Sequence, residues 1–191
     1  MDEAITEVSI CNSALIKLGQ KVLIGSLDED TVPARLCNAR FSYLRNKVLE
    51  DHNWGFATKM VELASVDAGS TELDGWGYAY EKPADFLRMQ RGEDWDEEFD
   101  TVNEYLLADV EPFKIKYTAK ITDTGRYTYA FAEVLAWRIA AELAYALVNS
   151  KEVAALMMQG YEMDLKAARY NDSHKKSPEG PFANTWVDAR N

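Results

Sequence analysis

A chain of 191 residues, 47% hydrophobic and 12% aromatic, is long enough for one well-buried core and too short for two ordinary domains. That composition excludes a disordered chain, and no apolar run approaches the roughly 18 residues that a membrane-spanning helix needs. The formal charge of −11 is concentrated in residues 61–112, which hold 15 acidic and 3 basic side chains; this excludes tight duplex binding, which depends on neutralising phosphates.

Met1-Asp2-Glu3 is acidic where a secretory signal would be basic, so the chain is expected to be made and used in solution, with no membrane partner. From Ala4 to Leu18, the positions Ala4, Val8, Cys11, Leu15 and Leu18 recur at helical steps, and Gly19 follows as a stop. Val22-Leu23-Ile24 and the polar run Ser26 to Asp30 lead to a second helix with Thr31 as N-cap and Pro33 in its first turn. Its spacing predicts Leu36, Tyr43, Leu44 and Val48 on the buried side, with Arg40, Arg45 and Lys47 solvated. Cys11 and Cys37 lack CxxC spacing and a nearby His pair, so buried reduced thiols are favoured over a disulfide or a metal site.

Beyond Trp54 and Phe56 the helical period is lost. Thr58 to Val66 reads as a strand, Asp67 to Gly77 as a loop, and Trp76, Tyr78 and Tyr80 as alternating positions of a further strand. Lys82-Pro83-Ala84-Asp85 is a turn in which the aspartate can accept backbone hydrogen bonds, and Phe86 to Gln90 resumes as a strand. Arg91 to Asp100 reads as an acidic loop holding Glu93, Asp94, Asp96, Glu97, Glu98 and Asp100. Phe113, Ile115, Tyr117, Ala119 and Ile121 alternate with polar residues as in a half-buried strand. Helical spacing returns at Phe131, Leu135, Ile139, Leu143 and Leu147, breaks at Asn149-Ser150, and resumes through Val153, Leu156, Met157, Gly160, Asp164 and Ala167.

The expected fold is therefore mainly α within the α+β class, with helices at about 4–18, 31–52, 126–148 and 151–170 and a β-containing insertion at about 58–122. Its helix pairs are expected to pack as an antiparallel bundle, with a small, mostly antiparallel β subdomain inserted between them. Residues 1–170 form the single domain, and residues 171–191, interrupted by Pro178, Gly180 and Pro181, an extended C-terminal arm.

Catalytic chemistry finds little to work with. The carboxylate cluster near Trp95 has no selective spacing, and six acids crowded beside Gly92 read as a solvated or lumen-facing loop rather than as an acid/base pair. With only His52 and His174, no histidine-based metal motif or triad can be assembled; His52 is expected to face the carbonyl end of its helix. No catalytic, metal or cofactor site is expected. In the arm, Phe182 and Trp186 are large apolar side chains in a polar segment. They can fold back on the body or serve as anchors for a partner, with Lys175, Lys176 and Arg190 adding charge pairing.

Several of these residues carry a resemblance. Ile10-Cys11-Asn12-Ser13-Ala14-Leu15, Leu18-Gly19, Ser26-Leu27-Asp28-Glu29-Asp30, then Ala34, Cys37, Tyr43, Arg45, Val48-Leu49 and Trp54-Gly55-Phe56-Ala57 come in order, followed by Gly75-Trp76 through Tyr80 and Pro83-Ala84-Asp85-Phe86-Leu87-Arg88. Over roughly residues 5–145 this order resembles the head-to-tail adaptors of short-tailed bacteriophages, the tail tubular protein A or gatekeeper-type head completion proteins. The resemblance implies a non-enzymatic protein that forms a ring, typically of twelve copies, beneath the portal protein. It would offer a platform to the tail nozzle or other tail proteins, reach the portal with its C-terminal arm, and line a conduit through which DNA passes without specific binding. Its place would be the head-tail junction of the virion, after assembly in the host cytoplasm. The competing readings are a cell-wall hydrolase using the acids near Trp95 and a soluble, non-viral binding module.

Overall fold

The computed structural model describes residues 4–67, 75–90 and 97–175, the last four as backbone. Among them the chain is an α+β fold of four α-helices and seven strands in two antiparallel sheets.

Helix α1 (Glu7–Lys17) starts where Thr6 and Ser9 satisfy each other's backbone amides, with Ser9 N donating to Thr6 Oγ1 at 3.0 Å and Thr6 N to Ser9 Oγ at 2.9 Å. It ends at Gly19, whose φ of +72° lets Gln20 N return to the Leu15 carbonyl. The following link is pinned twice. Asn12 exchanges two hydrogen bonds of 2.9 Å with the backbone of Ile24, and Glu29 Oε1 accepts from the amides of Gly25 and Ser26. Helix α2 (Val32–Asp51) then begins at the N-cap Thr31 with Pro33 in its first turn.

On α2 the expected burial is corrected at two positions. Tyr43 is 57% exposed, whereas Arg45 is 6% exposed. Arg45 follows Phe41 by four residues and precedes Val48 and Leu49 by three and four, so the helical period carries it onto the apolar stripe, while Tyr43 lies about 100° from Leu44. The guanidinium donates to Asn46 Oδ1 at 3.1 and 3.0 Å.

The helix hands over to the sheets through an aromatic cluster. Trp54 donates its indole N–H to the Val48 carbonyl at 2.9 Å, and Trp54, Phe56, Tyr127 and Phe131 meet with ring centroids between 4.7 and 6.2 Å apart. Strand β1 (Thr58–Leu63) then pairs with β7 (Phe113–Ala119), which carries β4 (Phe86–Met89) on its other side. The expected strand from Thr58 to Val66 is divided at Ala64, because β2 (Ser65–Val66) belongs to the second sheet, in the order β2, β3 (Tyr78–Glu81), β6 (Tyr105–Ala108), β5 (Phe99–Val102).

The β5–β6 hairpin was not legible as strands, and it shortens the expected acidic loop: Asp100 lies in β5, paired with Leu107. Leu106, Leu107 and Ala108 are all fully buried, so β6 lacks the alternation by which a one-sided strand is recognised. Asn103, with φ of +49°, makes the reversal. Trp76 also lies outside the strand it was expected to share with Tyr78 and Tyr80.

Helix α3 (Tyr129–Val148) is the hub, packing against α1, α2 and α4. It starts at the N-cap Thr128, later than the expected 126, because Thr124–Arg126 is a separate 3-10 turn capped by Asp123. Its buried face runs through Phe131, Leu135, Ile139 and Leu143. Asn149, with φ of +53°, closes the helix, and Ser150 Oγ accepts from Val153 N to open α4 (Lys151–Lys175). Helix α4 continues past the expected end at residue 170. No proline or glycine stands between Gly160 and Pro178, so the first five residues assigned to the arm are helical.

Candidate interaction surface

Helix α4 shows two apolar stripes. Met157, Tyr161, Leu165 and Ala168 are buried, whereas Leu156, Met163 and Tyr170, spaced seven residues apart, are 58%, 71% and 65% exposed. The inner stripe seats α4 on the body with polar support. Tyr161 donates to Asp51 Oδ2 at 2.5 Å and Arg169 to the Asp51 carbonyl, so the end of α2 is tied to the middle of α4. Burial, reinforced by the Asp51 carboxylate, pushes the Tyr161 phenol well above its ordinary pKa. Beside it, Glu142 accepts from Arg40 and lies 3.9 Å from Arg138, joining α2 to α3.

The outer stripe borders a groove of about 350 Å³ lined by Trp137, Leu156, Gly160 and Met163. Gly160 lets the Trp137 ring close against α4, because a Cβ there would stand 2.6 Å from that ring. Lys17 Nζ lies 4.1 Å from the centroid of the same ring and pairs with Glu133. Glu133 in turn lines a second groove, between α1 and α3, with Ile16 and Tyr129 at 60% and 67% exposure. Lys17 thus links the Trp137 side of the apolar α4 groove to Glu133 at the edge of a second, more polar groove. The sequence reading missed this surface. Its signal was the seven-residue repeat Leu156, Met163, Tyr170, hidden because the inner stripe lies one or two residues away on the same helix.

Of the residues predicted for portal binding, Lys175 is the last residue of α4, while Lys176, Phe182, Trp186 and Arg190 lie outside the described residues. Asp94 and Asp96 also lie outside them. Glu97 and Glu98 are exposed just before β5, and Asp100 is exposed on β5, its Oδ1 accepting from Thr101 N at 2.6 Å.

Acids elsewhere in the β region serve the fold. Asp109 accepts from Gly77 N at 2.7 Å and Glu111 from Ser65 Oγ at 2.5 Å. Asp85 was expected to take backbone hydrogen bonds in its turn. Its carboxylate does take a backbone hydrogen bond, and it also takes Lys59 Nζ at 2.5 Å and the Tyr117 hydroxyl at 2.9 Å, fastening the turn to β1 and β7. Burial acts to raise the Asp85 pKa, but the hydrogen bonds from Lys59 and Tyr117 outweigh it and hold the carboxyl below its ordinary range. Tyr117 is pushed up to about 12 by burial and by the neighbouring Asp85.

Cys11 and Cys37 are free and fully buried, facing each other between α1 and α2. The hydrogen bond that the Cys11 thiol donates to Cys37, together with burial, raises Cys11 well above its usual pKa. Among the described residues no group of three or more His, Cys, Asp or Glu is placed to hold a metal ion, and no helix is long and apolar enough to cross a membrane. No protein-family model matches the chain, and no curated protein matches its sequence.

Proposed function

We propose that the chain is a structural head-to-tail adaptor of a short-tailed bacteriophage, with its four helices arranged as an antiparallel bundle. It assembles as a ring of twelve copies beneath the portal protein and gives the tail nozzle its platform at the head-tail junction. The observation that carries this reading is where the resembling residues sit. Asn12 and Glu29 pin the α1–α2 link, Trp54 and Phe56 join helices to sheets, and Asp85 fastens the sheet turn. Residues of that kind preserve a shape rather than a reaction, which suits a protein selected for how it assembles.

Charge adds support. The acidic residues 61–112 make up the larger part of the β region, and a conduit lined with carboxylates lets DNA pass without adhering. Phe182 and Trp186 then anchor the arm to the portal, with Lys175, Lys176 and Arg190 pairing with acidic partner groups. Sedimentation of the protein mixed with its cognate portal protein tests the reading: the wild-type chain co-sediments, and a Phe182→Ala/Trp186→Ala variant stays free. A wild-type chain that never joins the portal overturns it.

A further inference from the structure

The exposed side of α4 carries a seam for another helix. From Val153 it passes through Leu156, Gly160, Met163 and Ala167 to Tyr170, in alternating steps of three and four residues. Such steps keep one stripe turned toward a partner helix along its whole length, here about 26 Å. Leu156, Met163 and Tyr170 are 58%, 71% and 65% exposed, and Ala167 is exposed between the last two. We infer that the seam binds its counterpart on a second copy of this chain, α4 against α4 and antiparallel, about a two-fold axis level with the turn from Gly160 to Met163.

Side-chain size selects both the partner and its direction. With the two helices antiparallel, Gly160 of one copy lies opposite Met163 of the other, Leu156 opposite Ala167, and Val153 opposite Tyr170. Each large side chain meets a smaller one, and the two-fold axis repeats every pairing, so the seam fills in six layers. In a parallel pair Met163 would meet Met163 and Gly160 would meet Gly160, a crowded layer beside an empty one.

The surroundings of the seam suit this arrangement. At the Gly160 layer the groove of about 350 Å³ is walled by Trp137, and a methionine thioether packs well against an aromatic ring. On the flank Gln159 comes level with Lys166 of the other copy, an uncharged acceptor against a cation. A two-fold contact is complete with two copies and adds no third. The pair is therefore a state of the free protein, and it stands or falls apart from the portal reading.

Cysteine variants test the contact in the full chain, whose native thiols are buried. Leu156→Cys and Ala167→Cys, both at exposed positions, are oxidised separately and as a mixture. In the antiparallel pair positions 156 and 167 of different copies are level. Like positions are eleven residues out of register, about 16 Å along the axis and beyond disulfide reach. The mixture is expected to form the 156–167 link at least about ten times faster than either variant links to itself. Faster self-linking would show a parallel pair, and equal rates would show random encounter; either result overturns the proposal.

Sedimentation equilibrium gives a second readout. The wild-type chain is expected to pass from monomer to dimer as its concentration rises. Met163→Glu puts a charge at a position 71% exposed in the single chain, so its melting temperature in dilute solution should match wild type. Its dimer should be weaker by at least about tenfold. A wild-type chain that stays monomeric at every concentration would leave the seam to a different partner and overturn the proposal, as would a Met163→Glu dimer as tight as wild type.

Discussion

Trp137 and Gly160 are fitted to each other across the α3–α4 hairpin, the indole lying where a β-carbon on residue 160 would stand at 2.6 Å. Glycine within a helix costs about 1 kcal/mol relative to alanine, so the position is held by the contact and not by propensity. A Gly160→Ala variant gains that propensity but must displace a ring already flanked by Lys17, and overpacking of this kind costs about 1–3 kcal/mol. Denaturant unfolding should show Gly160→Ala less stable by about 1 kcal/mol. In a Trp137→Ala background the same change should be stabilising, and an unchanged sign would mean that the ring is not what holds glycine there.

The exchange of roles between Tyr43 and Arg45 gives a second test. Arg45→Ala removes a buried alkyl stem and the guanidinium bonds to Asn46, and should destabilise the fold by about 2–3 kcal/mol. Tyr43→Ala loses an exposed ring in contact with Arg40 and should cost less than about 1 kcal/mol. Equal losses in the two variants would contradict the placement of this helix face.

Asp85 predicts a pH dependence. Its carboxyl titrates lower in the folded chain than in the unfolded one, so its contribution is present above the unfolded value of about 3.9 and is lost as pH falls through the folded value. At pH 7, Asp85→Asn should be less stable than wild type by about 1 kcal/mol, and the difference should vanish at the acid end of the range. Thermal melts across pH 2.5–7 measure it. A constant gap between the two proteins would place the effect in packing.

The facing thiols predict a reactivity pattern. Because Cys11 and Cys37 are fully buried and Cys11 is held protonated, neither should react with an aromatic disulfide reagent in the native protein at pH 8, and both should react on unfolding. Fast native labelling would show that α1 and α2 separate more readily than their packing implies.

The helices were the legible part of this chain, because their apolar positions repeat at three and four residues and Thr31 caps α2 by local chemistry; the caps Thr6 and Thr128 went unread, and α1 and α3 begin later than the expected 4 and 126. Side-chain assignment failed where two neighbours compete for one stripe, as at Leu44 and Arg45, since an alkyl stem can be buried under a charged head. The β region was legible only where one face meets solvent. The clear alternation of β7 gave it away, while β6, buried at its last three residues in succession and paired on both sides, left no period to read. Of the candidate surface, the exposed stripe of α4 was not visible in sequence, because it depends on the rotation of α4 that Tyr161 and Asp51 fix through space.

We propose above all that this chain is a ring-forming adaptor for a portal. Electron microscopy of the purified protein mixed with its cognate portal protein, at physiological salt, tests that most directly. A ring-forming adaptor should appear as a continuous ring of twelve subunits on one face of the portal, with the C-terminal arms running onto it. Portal particles that stay bare at saturating protein would contradict it.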